Sequence, residues 1–410
     1  MDVSEVLATG GVILACGLVS VPIALALRVP VMIVFVAAGV LVGPSALDLV
    51  SNPLDELGAE LIFTLGVSLI LFHGGVGVSF RVIRQTALGL GMLVIPGVLV
   101  TAAVVAVVVS PVFGVSIGVA FLVGSVLAAT DPAILIPLFD RIRLRPKVSQ
   151  TVIAESAFND PTGTVLALTV ASALAAGSVS LTDPVVDFTK ALAIGAVCGI
   201  AGGLVLALMV SSHRVGIWSE SPAAAILALV ALEYFAVDEI GGSAYLAAFV
   251  MGLMVGNADL FGIEREPRAL HAFESFIAQL SEIAVIAVFV TLGINLPLDA
   301  LRDHFLGGLV VMAVFIFVAR PLAVLVCLSV DRRARWTRQE VIFLCWCRET
   351  GVVPAAVASL LVGQGVPGSE LAVAMVAMAI IATLLLQATT AGWLARRLDL
   401  VLPAEVEGVV

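Results

Sequence analysis

Apolar positions in this chain neither alternate nor fall into one-sided stripes. They run on in blocks of about 20 residues, separated by short polar turns, and an α-helix of that length covers the roughly 30 Å of a bilayer's hydrocarbon. The pattern predicts an all-α polytopic membrane protein of thirteen transmembrane helices, at 6–27, 30–47, 57–75, 83–109, 114–138, 150–174, 185–211, 218–236, 242–257, 271–293, 303–329, 339–362 and 370–395. Gly and Pro recur inside these blocks, as they do in helices packed against other helices.

Composition agrees with the pattern and removes alternatives. Of 410 residues, 61% are hydrophobic and 12% charged, against roughly 25% charged in soluble domains. No polar block is long enough for a separate soluble domain, so 1–410 reads as one membrane-embedded unit, not an enzyme, with the lipid bilayer as a partner and no nucleic acid. The net charge of -10 comes from acids scattered over short loops. The opening MDVSEV lacks the basic n-region of a signal peptide, so the first span is expected to be retained. Cys16, Cys198, Cys327, Cys345 and Cys347 all lie in apolar blocks. Cys345 and Cys347 would stand about 200° apart on a helix and cannot grip one ion together. No cofactor is expected.

Basic residues orient the spans, because they collect in cytoplasmic loops. One set of alternate loops holds sixteen: Arg28; Arg81 and Arg84; Arg141, Arg143, Arg145 and Lys147; Arg214; Arg265 and Arg268; Arg332, Arg333, Arg335 and Arg338; Arg396 and Arg397. The opposite set holds Lys190 and Arg302, and Arg320 and Arg348 fall within spans. The split predicts a cell (inner) membrane protein with its N-terminus outside and its C-terminus cytoplasmic. Thirteen crossings allow spans 1–6 and 8–13 to form inverted six-helix repeats (1–174 and 218–395), with span 7 (185–211) as connector. Transporters of that architecture bind ions on helices interrupted at matching positions of the two halves.

The matching interruptions here are Thr130-Asp131-Pro132 in span 5 and Gly351-Val352-Val353-Pro354 in span 12. A proline lacks an N–H, which frees the carbonyls of Ala128 and Thr350 as candidate cation ligands. Next to span 5 comes IAESAFNDPTGT, 153–164. Charges inside membrane spans are costly and mark ion or proton pathways. On a helix Ser156 and Asp160 share a face, as do Glu155 and Asn159, while Glu155 and Asp160 diverge by about 140°. The two acids therefore have different work. Asp160 and Asp131, with Thr130, Ser156 and Asn159, supply the hard oxygens that a dehydrated alkali cation needs. Two carboxylates in one poorly solvated cleft cannot both stay charged cheaply, so proton and cation compete for the same oxygens. Glu155 is expected to pair with Arg320 of FVARPLAV, a structural clamp between spans 6 and 11. Arg348 either offsets charge where spans 5 and 12 cross, or pairs with Glu349 or with Glu282. His73 reads as a packed or interfacial histidine, and Glu274 and Glu282 as facing a cavity or a cation.

ATDP at 129–132 and AESAFNDPTG at 154–163, together with Arg320-Pro321, resemble the ion-site motifs of the NhaP branch of monovalent cation/proton antiporters. The resemblance covers essentially the whole chain. It implies a homodimer in which a core (83–174 and 303–395) moves against a dimer-forming scaffold (6–75 and 185–293). It also implies cation binding at Thr130, Asp131, Ser156 and Asp160, and an ion pair of Glu155 with Arg320. Asn159 directly before Asp160 implies electroneutral exchange of one cation for one proton. The sequence departs from the pattern at 348–351, where Glu349 and Thr350 separate Arg348 from Gly351; many relatives place Arg directly before that Gly. Exchange of Na+ or Li+ for H+ is the leading expectation, with K+/H+ exchange on the same fold as the alternative. An intramembrane aspartyl protease would need a Gly-x-Gly-Asp context that is absent, and a passive cation channel would have no use for the clamp.

Overall fold

The computed structural model of the chain describes residues 3–27, 29–50, 55–176, 182–211, 222–263 and 267–402. Among them are α1 (Val3–Leu27), α2 (Val31–Val42), α3 (Asp55–Val76), α4 (Phe80–Met92), α5 (Val98–Phe113), α6 (Ile117–Ala128), α7 (Pro132–Ile142), α8 (Pro146–Ala176), α9 (Thr182–Met209) and α10 (Pro222–Glu239). There follow α11 (Ala244–Gly256), α12 (Pro267–Ile294), α13 (Leu298–Asp303), α14 (Phe305–Val314), α15 (Arg320–Val330), α16 (Arg338–Trp346), α17 (Val352–Gly363), α18 (Ser369–Ala382) and α19 (Thr389–Arg397). Wide π turns at Leu93–Gly97, Phe315–Ala319 and Thr383–Ala388 join α4 to α5, α14 to α15 and α18 to α19 without ending the helix. The short α13 was not anticipated. Arg28, Arg214 and Arg265, three of the basic residues assigned to one side, lie outside the described residues.

The protein is an all-helical membrane protein. Seven of the described helices are long and apolar enough to cross a bilayer: Val6–Leu27, Gly58–Val76, Phe80–Phe113, Val186–Met209, Phe273–Ile294, Phe305–Val330 and Ser369–Arg397. That is fewer than the expected thirteen, for two physical reasons. First, α2, α6, α11 and α17 are apolar but short. Second, α8 and α10 have the length, but α8 carries Glu155, Asn159, Asp160 and Pro161, and α10 carries Glu233, Asp238 and Glu239.

Spans 5 and 12 are each two half-helices. In span 5 the break falls at Ala129–Asp131, and Pro132 opens α7, where a missing N–H costs nothing. In span 12 the break falls earlier than expected, at 347–351, and Pro354 sits inside the first turn of α17. A capping box at Thr337 and Glu340 starts α16, and Gly114 in the left-handed region ends α5.

Helices α1–α3 and α9–α12 pack chiefly on one another, and so do α4–α6, α8 and α14–α19. The two groups meet where α8 runs against α9 and α11, and where α3 touches α7. At that seam Phe158 of α8 meets Phe249 of α11 edge to face, their centroids 6.0 Å apart. Within the first group α3 and α11 cross at backbone contact. A Cβ on Gly252 would stand 2.0 Å from the Phe72 carbonyl oxygen, and one on Gly256 2.2 Å from that of Val76.

Since backbone cannot retreat like a side chain, Gly252→Ala should cost about 1–3 kcal/mol by overpacking. A lower melting temperature in detergent is expected for it, and none for Gly91→Ala, whose Cβ would meet nothing within 4 Å. Equal melting temperatures would refute the close crossing.

Candidate functional site

The two broken spans cross through their extended segments. The Asp131 N–H donates to the Glu349 carbonyl at 3.0 Å. One carboxylate oxygen of Asp131, Oδ2, accepts from the Val352 N–H at the start of α17. This is an N-cap supplied by the other break, and it places a negative group on the positive end of a half-helix. Gly351 makes room for it, because a Cβ there would stand 2.1 Å from that same oxygen.

Arg348 returns the service. Its guanidinium donates to the carbonyls of Ala128 and Leu127 at the C-terminal end of α6, and to Thr101 Oγ1 at 3.3 Å. It also lies over the Phe315 ring, 5.0 Å from the centroid. A cation thus closes the negative end of α6. Arg348 hydrogen-bonds neither Glu349 nor Glu282, and Glu282 and Glu274 are exposed. His73 is half-buried in α3. The Ala128 carbonyl, expected to be free for a cation, is taken by Arg348.

Glu155 and Arg320 face each other as a fork against a fork. Arg320 Nη2 donates to Glu155 Oε2 at 2.9 Å and Nη1 to Oε1. The same guanidinium serves the end of α16, with Nε donating to the Leu344 carbonyl at 3.0 Å and Nη2 to that of Cys347 at 3.2 Å. Both residues are buried, and removing one member of such a pair costs roughly 3–5 kcal/mol, because the other charge is left uncompensated.

Thr130, Ser156 and Asn159 come together. The Thr130 N–H donates to Asn159 Oδ1 at 3.1 Å, the Asn159 amide donates to Thr130 Oγ1 at 2.7 Å, and Thr130 Oγ1 and Ser156 Oγ lie 2.9 Å apart. Asn159, one turn beyond Glu155, turns to the break in span 5 instead. Asp160, 1% exposed, has no hydrogen-bond partner on either carboxylate oxygen, and the charge of Asp131 reaches it. An unpaired buried charge is worth several kcal/mol of instability, so Asp160 calls for a proton or a cation.

Sequence reasoning did not single out Thr101, Thr383 and Gln387. The first receives Arg348; the other two hold the end of α16 and the break after it, with Thr383 Oγ1 accepting from the Thr350 N–H at 3.4 Å and the Gln387 amide donating to the Trp346 carbonyl. The available signal was the polar residues in the otherwise apolar run ATLLLQATT.

The chain is similar to known proteins over most of its length. The chain is 28% identical over 401 residues to the K(+)/H(+) antiporter NhaP2 of Shewanella sp. (strain ANA-3), covering 94% of this chain and 66% of that protein; it therefore spans about two thirds of that relative's length. It is 28% identical over 325 residues to the Probable Na(+)/H(+) antiporter 2 of Methanocaldococcus jannaschii, covering 77% of this chain and 75% of that one. The solved structure of the sodium proton antiporter MjNhaP1 from Methanocaldococcus jannaschii superposes with a TM-score of 0.73 at 27% identity, over 97% of this chain and 99% of the other. The family model for the transmembrane sodium/hydrogen exchangers matches residues 11–397, and the chain belongs to that family, whose members are transporters and not enzymes.

Proposed function

We propose that the protein is a secondary antiporter that exchanges Na+ or Li+ for H+, with cation and proton competing for Asp160. The observation that carries this reading is the state of that side chain: buried, without a partner, and one residue from the Thr130–Ser156–Asn159 network. A cation entering there would meet the Asp160 carboxylate and the hydroxyls of Thr130 and Ser156, with Asp131 close by. K+/H+ exchange is the second reading, favoured by the similarity to the K(+)/H(+) antiporter NhaP2 of Shewanella sp. (strain ANA-3).

Asn159 spends its amide on Thr130 and has no proton to exchange, which supports one titrating acid and a one-for-one, electroneutral cycle. The sparse contact between the two helix groups supports an elevator-like motion of a core (83–174 and 303–395) against a scaffold (6–75 and 185–293). Pairs of features at corresponding places, namely the breaks before α7 and α17 and the π turns after α4 and α14, support two inverted repeats and thirteen crossings. With them go an outside N-terminus, a cytoplasmic C-terminus, a cell-membrane location and a homodimer.

Asp160→Asn is expected to abolish cation-dependent proton flux in proteoliposomes while the protein stays folded; undiminished flux would sink the site assignment. Glu155→Gln should instead lower the melting temperature and the yield by breaking the pair with Arg320, and an unchanged melting temperature would show that the pair is dispensable. An imposed membrane potential should leave the exchange rate unaltered. Proton release on adding sodium, lithium or potassium in turn separates the two cation readings.

A further inference from the structure

The crossing has a second set of buried oxygens that the exchange site does not use. Glu349 is 0% exposed, with the Thr383 hydroxyl close by, and neither of its carboxylate oxygens has a hydrogen-bond partner within 3.5 Å. Thr350 beside it is equally buried, with an unpartnered hydroxyl. The π turn Thr383–Ala388 stands against this segment. Thr383 Oγ1 accepts from the Thr350 N–H, and the Gln387 amide nitrogen donates to the Trp346 carbonyl, so both side chains point at the break. The other end of that amide, Gln387 Oε1, is buried and without a partner. Irregular turns of this wide kind recur at functional sites.

The atoms left over share one chemistry. They are two carboxylate oxygens, a hydroxyl oxygen and an amide oxygen, whereas the nitrogens among them, Gln387 Nε2 and the Thr350 N–H, are already used. Pro354 has no N–H to offer the Thr350 carbonyl four residues before it. The nearby guanidiniums are committed elsewhere: Arg320 to Glu155, and Arg348 to α6 and Thr101, although Arg348 Nε is itself unpartnered. A proton would serve one of these oxygens. A dehydrated monovalent cation, which gathers about six hard oxygens, would serve all of them and would match the carboxylate charge.

We propose that Glu349, Thr350, Thr383 and Gln387 form a second monovalent-cation site, separate in its side chains from the Asp160 site. The two sites stand on opposite strands of one hydrogen bond, the Asp131 N–H to the Glu349 carbonyl. Filling the second site therefore stiffens the segment that carries the cap of α17. The inference rests on the crossing itself and goes beyond the exchange reading, which needs only one cation.

The test is a count of bound cations on the full-length protein in detergent, by equilibrium binding of radioactive sodium and, for potassium, rubidium. Two per chain are expected in the wild type, one in Asp160→Asn, one in Glu349→Gln and none in the double variant. Should Glu349→Gln fail to fold, Thr383→Val in the Asp160→Asn background gives the readout: losing one oxygen ligand should weaken the remaining binding about tenfold, or roughly 1.4 kcal/mol. No binding in Asp160→Asn, whether because the oxygens hold only a proton or because they hold nothing, overturns the proposal. So do two cations in Glu349→Gln, or unchanged affinity in the Thr383→Val background. One cation in both the wild type and Asp160→Asn would keep the second site and refute Asp160 as the exchange ligand, so the two readings fail separately.

Discussion

A helix interrupted away from water leaves carbonyls at one end and N–H groups at the other with nothing to bond. The centre of this protein depends on how two such interruptions relieve each other. Asp131, from the first break, caps the N-terminus that the second break creates, and Arg348, from the second, closes the C-terminus that the first creates. The exchange is reciprocal in charge as well as in hydrogen bonds, so neither half-helix end can be understood from its own strand. Arg320 extends the same logic to the end of α16 while holding Glu155. With three charged side chains used in this way, Asp160 and Glu349 are left at the crossing as buried acids outside this bonding.

This division has mechanical meaning. The groups that tie the crossing together, Asp131, Arg348, Glu155 and Arg320, all belong to the helices α5–α8 and α15–α17, and their bonds run among those helices. Across the seam with α9 and α11 the contacts include the apolar Phe158–Phe249 pair and a hydrogen bond from the Phe80 N–H to Asn257 Oδ1 at 3.1 Å. Apolar surfaces slide past one another at less cost than hydrogen-bonded charges separate. Under the proposed motion the crossing would travel with its capped helix ends intact.

Much of this was legible in the sequence because membrane burial makes polar residues conspicuous. Asp131, Glu155, Asp160 and Arg320 stand out in apolar blocks, and proline marked both interruptions. What the sequence did not disclose is direction. Helical periodicity put Asn159 with Glu155, but the broken strand offered Asn159 a nearer partner in Thr130. The carbonyl of Ala128 looked free because proline removes a donor, yet a guanidinium more than two hundred residues away supplies a better one. Thr383 and Gln387 were not singled out for a simpler reason: threonine and glutamine in a helix can bond within their own turn, and only tertiary contact shows that these reach across. The count of crossings was harder for the same cause, since interrupted helices owe their place to partners rather than to their own hydropathy.

The pairing of Glu155 with Arg320 also bears on how the chain is made. Helix α8 is not among the helices apolar enough to settle in a bilayer unaided, and the residue that neutralises its clamp acid lies 165 positions further along. At ribosomal speed that interval is on the order of ten seconds. Until α15 is made, Glu155 lacks its ion-pair partner. The least apolar of the long helices is thus made well before the residue that neutralises its clamp acid.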